Sequence, residues 1–209
     1  MKTLRTLTMV AALTMLIEPA NAGFIMTINQ TGSGLSFSGN GSINTTTFTP
    51  FLLNTPSIAL LDVQANLAFV AVNTASNLDE YNMVSSGPAS FGPGGFSTGP
   101  TASVVGIFIF QQDTPTLGAM DLPAGYVSGT PLPAVSATWA GATYAGLGIT
   151  PGNYTWTWGT GQTADSFELV IVPAATPEPS SLVLLGTAAA ASAGFGGWIR
   201  RRRAYSVAA

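Results

Sequence analysis

All six basic residues of this 209-residue chain sit at its two ends: Lys2 and Arg5 at one, Arg200, Arg201, Arg202 and Arg203 at the other. From Gly23 to Thr176 there is no Lys, Arg, His or Cys. Such a body folds on apolar burial and hydrogen bonds alone, with no disulfide to staple it. Its roughly 150 residues are enough to bury one proper core. Seven carboxylates (Asp62, Asp79, Glu80, Asp113, Asp121, Asp165 and Glu168) have no base to offset them. The formal −3 of the whole chain thus conceals −7 in the body.

That distribution excludes several functions. Neutralising nucleic-acid phosphates needs Lys or Arg, so the body is not a nucleic-acid binder. A Ser-His-Asp or Cys-His nucleophile cannot be assembled, and a phosphate cradle lacks its usual Lys. Zinc would have only carboxylates to hold it, an unusual donor set. No cofactor is implied, and without Cys there is no lipid-modified cysteine anchor.

The N-terminal end has the layout of a secretory signal peptide over residues 1–22. Lys2 and Arg5 are its positive region, and Leu7 to Ile17 its apolar run. Ala20-Asn21-Ala22 is the small-x-small cleavage site, placing the mature start near Gly23. Eleven apolar residues are short for a membrane anchor, and Glu18-Pro19 interrupts them. The body is expected to be exported.

The other end begins with a stiff linker, residues 173–181, whose Pro177-Glu178-Pro179 is held extended by its prolines. Ser180 to Ile199 carries no charge. As a helix these twenty residues span about 30 Å, one hydrocarbon thickness, so 182–199 is expected to cross a membrane once. Arg200 to Arg203 then act as a stop-transfer signal and keep residues 200–209 on the cytoplasmic side. Together, the Pro-Glu-Pro motif, the Gly/Ala-rich span and the arginine cluster resemble the PEP-CTERM sorting signal of exported proteins of Gram-negative bacteria. The resemblance implies a partner, an exosortase, which is an integral membrane cysteine transpeptidase that recognises and processes the tail. It also implies transient residence in the inner membrane, then the cell surface or extracellular matrix. It covers about thirty residues and assigns no activity to the body.

The body, 23–172, reads as all-β. Phe24 to Ile28 is a first strand, and Asn40-Gly41 favours a hairpin turn within Leu35 to Phe48. Ile58 to Val72 alternates with a period of two and reads as a strand. Eight of the fourteen residues from Gly87 to Pro100 are Gly or Pro, so Ser86 to Thr101 reads as loop. Val104 to Phe110 is apolar on both faces, as in a central strand. Asp113 to Thr130 reads as a connection. Short strands follow at Val135 to Trp139 and Ala142 to Leu147, then one carrying Tyr154, Trp156 and Trp158, and a last one from Ser166 to Val172. Short strands between Gly/Pro loops favour a β-sandwich or jelly-roll. Leu147 to Val172, with its Gly148 to Tyr154 turn, Trp-bearing strand and Asp165-Ser166-Phe167, is also similar to the end of many PEP-CTERM protein bodies.

Candidate sites in the body are few. Trp139, Trp156 and Trp158 are candidates for stacking on sugar rings, although aromatics alternating along a strand more often fill a core. The carboxylates contain no D-x-D-x-D-G calcium loop and read as solvated. Asp165 and Glu168 could form a glycosidase pair, but three residues apart on a strand they face opposite ways. Asn29, Asn40, Asn44 and Asn153 begin glycosylation-type triplets of a kind frequent by chance in such a composition. Small residues four apart in the span, such as Gly186, Ala190 and Gly194, would let another helix approach closely. The expected function is therefore a non-enzymatic, exported, surface- or matrix-associated protein whose tail is processed. The alternatives are a carbohydrate-binding module, in contact with extracellular polysaccharide, and a permanently anchored single-pass surface protein.

Overall fold

A computed structural model describes residues 23–114 and 116–174, and the chain divides into compact units after Pro173. The described unit is all-β, with twelve strands in two sheets. The strands are β1 (Phe24–Thr31), β2 (Gly34–Gly41), β3 (Thr49–Pro56), β4 (Leu60–Gln64), β5 (Phe69–Asn73) and β6 (Asn77–Val84). They continue with β7 (Phe96–Thr98), β8 (Ile107–Thr114), β9 (Leu117–Pro123), β10 (Val135–Ala140), β11 (Gly152–Trp158) and β12 (Asp165–Ile171). One sheet runs β10-β2-β1-β12-β11 and the other β3-β6-β9-β8-β5-β4-β7.

Pairing is antiparallel throughout except between β1 and β12, which run parallel with Phe24 opposite Phe167 and Ile28 opposite Ile171. The first and last strands of the domain are therefore neighbours in one sheet. Both alternate strictly. Phe24, Met26 and Ile28 of β1, and Phe167, Leu169 and Ile171 of β12, are all buried. A period of two puts every second side chain on the inner face, where each buried Phe or Leu stabilises by about 1.5–3 kcal/mol.

The two sheets meet through aromatic rings. Phe24 of the five-stranded sheet stacks on Phe108 of the other at 4.2 Å. Phe167 lies 4.9 Å from Phe108 and 4.8 Å from Phe110, and Trp156 lies 4.9 Å from Phe110. These spacings suit aromatic pairs, which add about 0.5–1.5 kcal/mol beyond burial. The expected central strand is β8, fourth of seven. It begins at Ile107 because Gly106, at φ 82°, breaks the run before it.

Four expectations need correction. The hairpin joining β1 and β2 turns at Gly32-Ser33, not at Asn40-Gly41. Gly41 instead closes β2 at φ 135°, where a Cβ would lie 2.2 Å from the Gly23 carbonyl oxygen. It is glycine for close approach, not for a turn. Ile58 to Val72 is not one strand: a 3-10 turn at Ala65–Leu67, with Ala68 at φ 46°, folds it into the β4–β5 hairpin. The expected strand at Ala142 to Leu147 is one helical turn, α1 (Tyr144–Leu147). There Thr143 caps the Gly146 amide at 3.0 Å and Gly148 ends the turn at φ 61°, so local capping overrides the short apolar run. Strands also occur where only loop was expected, with β9 inside 113–130 and the three-residue β7 inside 86–101.

Among the described residues no helix is long and apolar enough to cross a membrane. The expected signal peptide with Ala20 and Ala22, the motif Pro177, Glu178 and Pro179, the span, and Arg200 to Arg203 lie outside the described residues.

Candidate functional site

Three of the body's carboxylates do not read as solvated once the fold is seen. Asp62, Asp79 and Asp165 are all buried. With no cation in the described residues to pair with, two of them bind backbone amides instead. Asp79 accepts from the amides of Asn54 at 2.8 Å and Gly125 at 2.7 Å. Asp165 accepts from Asn44 at 2.5 Å and from Ser166 at 2.8 Å. Burial raises the Asp165 pKa, and these amide bonds pull it part of the way back. Both residues are internal caps that fix loops to strands. Asp165 and Glu168 lie on opposite faces of β12, Asp165 inward. Among the described residues no three acidic, His or Cys side chains converge as metal ligands.

One pair of acids does meet. Glu80 of β6 stands directly opposite Asp121 of β9. Burial first, and the Glu80 charge second, push the Asp121 carboxyl up to about 7. The site is a repulsive cross-strand pair, and nothing around it supplies a third ligand or a reacting group.

The three candidate sugar-stacking rings separate clearly. Trp156 is fully buried and donates its indole N–H to the Pro88 carbonyl at 2.8 Å. Trp158, 4% exposed, donates to the Asn44 carbonyl at 3.0 Å. Both are core residues, held from each end, and neither can present a face to a sugar. Trp139 differs. It is half-buried near the end of the edge strand β10, with Gly99 against its indole, where a Cβ would come within 2.7 Å of the ring. Among the described residues its indole N–H is the one without a protein partner.

Trp139 lines a cleft of about 340 Å³ together with Thr31, Ser33, Ser36 and Thr138. That volume lies within the roughly 300–1,000 Å³ of small-ligand clefts. The cleft arises because β10 pairs with β2, placing Trp139 opposite Leu35 and Thr138 opposite Ser36, while the β1–β2 turn brings up Thr31 and Ser33. No charged residue lines it. A larger open cleft, about 570 Å³, lies between Val84 to Ser86 and Thr157 to Thr160, and is also free of charge. Trp158 forms part of its wall but has almost no exposed surface there.

Sequence reasoning singled out Trp139 but not the hydroxyl residues of the cleft, of which Ser36 and Thr138 point to the face of the sheet opposite the indole, which packs inward with Leu35. Nothing in the chain signals that β2 pairs with a strand a hundred positions later. The polar character of Leu35 to Phe48 marks β2 as solvent-facing and no more. No protein-family model, curated protein or solved structure matches the chain.

Proposed function

We propose that this chain is an exported, non-enzymatic protein of the cell surface or extracellular matrix, delivered by a C-terminal sorting signal that a membrane transpeptidase of the exosortase type processes. The observation that carries the reading is the order of features after the last strand. β12 ends at Ile171 and the compact unit at Pro173. Pro177-Glu178-Pro179 comes next, followed by an uncharged span and four arginines. Prolines on either side of Glu178 favour an extended chain that an enzyme cleft can grip, and a cluster of arginines after an uncharged span favours the cytoplasmic side. The catalytic groups belong to the partner. Because β12 is paired on both sides, with β1 and β11, cutting the linker leaves the folded domain intact.

The test is the intact mass of the protein from membrane and extracellular fractions of its native host. A species starting near Gly23 and ending near Pro177 supports processing, and extra mass on the new terminus identifies covalent attachment. A species in the membrane still ending at Ala209 overturns the reading in favour of a permanent single-pass anchor.

A further inference from the structure

We propose that Asp62 and Asn73 hold a calcium ion on the outer face of the seven-stranded sheet. Two oxygens are buried there without a donor. Asp79 and Asp165 each take two backbone amides. Asp62, only 5% exposed, has no such partner, and its Oδ1 is fully buried with no donor among the described residues. Asn73 is fully buried too, and its Oδ1 likewise has no donor among the described residues. The orientation of its amide is fixed. Nδ2 donates to the Ile58 carbonyl at 2.8 Å and to Ser57 Oγ, and a carbonyl can only accept.

Strand pairing brings the two residues together. Leu61 and Val63 of β4, and Val70 and Val72 of β5, point into the core, so Asp62 and Asn73 project from the other face. Asp62 stands opposite Ala71 and Asn73 opposite Leu60, which makes them diagonal neighbours roughly 7–8 Å apart. Two short oxygen-bearing side chains span that distance around one ion. Ile58 and Asp62 lie on opposite sides of Leu60 along the chain, so an amide tied by its nitrogen to Ile58 presents its oxygen toward Asp62. Thr98 of β7, opposite Asp62 on the same face, adds a hydroxyl oxygen. One carboxylate with neutral oxygens is a donor set for a hard cation. Calcium coordinates flexibly and lets water complete its shell, whereas magnesium demands a near-ideal octahedron. A water molecule could bond both oxygens but would leave the buried Asp62 charge uncompensated, and the body has no Lys, Arg or His to offset it. The net −7 of the body draws cations in.

The inference stands apart from the sorting reading, since processing of the tail leaves β4 and β5 unchanged. The test uses the full-length chain in a non-ionic detergent, unfolded with urea at constant ionic strength in EDTA, calcium chloride or magnesium chloride. Extracellular calcium sites of this kind have dissociation constants of roughly 10⁻⁴–10⁻³ M, so about 10 mM calcium should raise the folding equilibrium constant about tenfold or more. Magnesium should do clearly less. Asp62→Asn keeps the shape of the side chain, removes its charge and should abolish the calcium response. Asp62→Ser is a second variant with the same expected loss. Asp121→Asn, at the acid pair with Glu80, should keep the response. The proposal is overturned by a wild-type chain indifferent to calcium, by an equal response to magnesium, by a response retained in the Asp62 variants, or by one lost in Asp121→Asn alone.

Discussion

Asp165 holds Asn44 across 121 positions of sequence, its Oδ2 accepting the Asn44 amide at 2.5 Å while Trp158 donates to the carbonyl of the same residue at 3.0 Å. The loop after β2 is thereby bound on its donor and its acceptor by the ends of two adjacent strands, β11 and β12. In a body with no Lys, Arg or His, the buried Asp165 carboxylate finds its partners in the backbone, and the chain uses it as a clamp.

Removing that clamp leaves two amides unpaired. Asp165→Ala should destabilise the domain by about 1–3 kcal/mol, the cost of unsatisfied buried groups. Urea denaturation should show a lower midpoint with an unchanged slope. An unchanged midpoint would mean that water replaces the carboxylate at no cost.

The Glu80–Asp121 pair makes stability depend on pH near neutrality. Asp121 is raised from 3.8 to about 7 by burial and by the Glu80 charge. Between those values the folded state holds a proton that the unfolded chain has lost. The sign follows from linkage: stability falls as pH rises from about 4 through 7. The loss should be of order 1–3 kcal/mol, less than the full shift implies because Asp121 is partly solvent-exposed. Asp121→Asn should flatten the urea midpoint between pH 5 and 8 and raise it at pH 8. A wild-type midpoint that climbs over that interval contradicts the assignment.

Trp156→Ala should be far more damaging than Trp139→Ala. Trp156 is fully buried among Phe110, Phe167 and Tyr154, and its loss also strands the Pro88 carbonyl. About 3–5 kcal/mol is expected, enough to unfold a marginal domain. Calorimetry on the two variants orders them directly.

Gly41→Ala tests the close approach at the end of β2. The added methyl would sit 2.2 Å from the Gly23 carbonyl oxygen, at a φ of 135° that side chains rarely adopt. A loss of about 1–3 kcal/mol is expected, with fraying of the β1–β2 pairing seen as faster amide exchange at Phe24. Gly32→Ala, in the turn where nothing lies within 4 Å, should cost much less.

What the sequence displayed and what it hid divide along physical lines. Phe167, Leu169 and Ile171 alternate cleanly, as do Trp156 and Trp158, because a strand with one buried face has a period of two. The all-β class and the central place of β8 were legible for the same reason. β3 was not: it is an edge strand with Phe51, Leu52 and Leu53 all exposed and bulges on either side of Leu52, so no alternation survives. The short run from Ala142 to Leu147 looked like a strand because capping by Thr143 and Gly148 is invisible to periodicity. The roles of Asp79 and Asp165 depended on loops brought from far along the chain, and so did the cleft at Trp139. Of the three indoles, sequence pattern could not say which one the fold would leave accessible.

The parallel pairing of β1 with β12 also sets a schedule. A chain synthesised from its N-terminus presents Phe24 first and Phe167 almost last, yet each is the other's neighbour. Until β12 emerges, β1 has a partner on one side only, and the aromatic layer between the sheets lacks Phe167 and Trp156. The native core is complete only with the last strand beside the first.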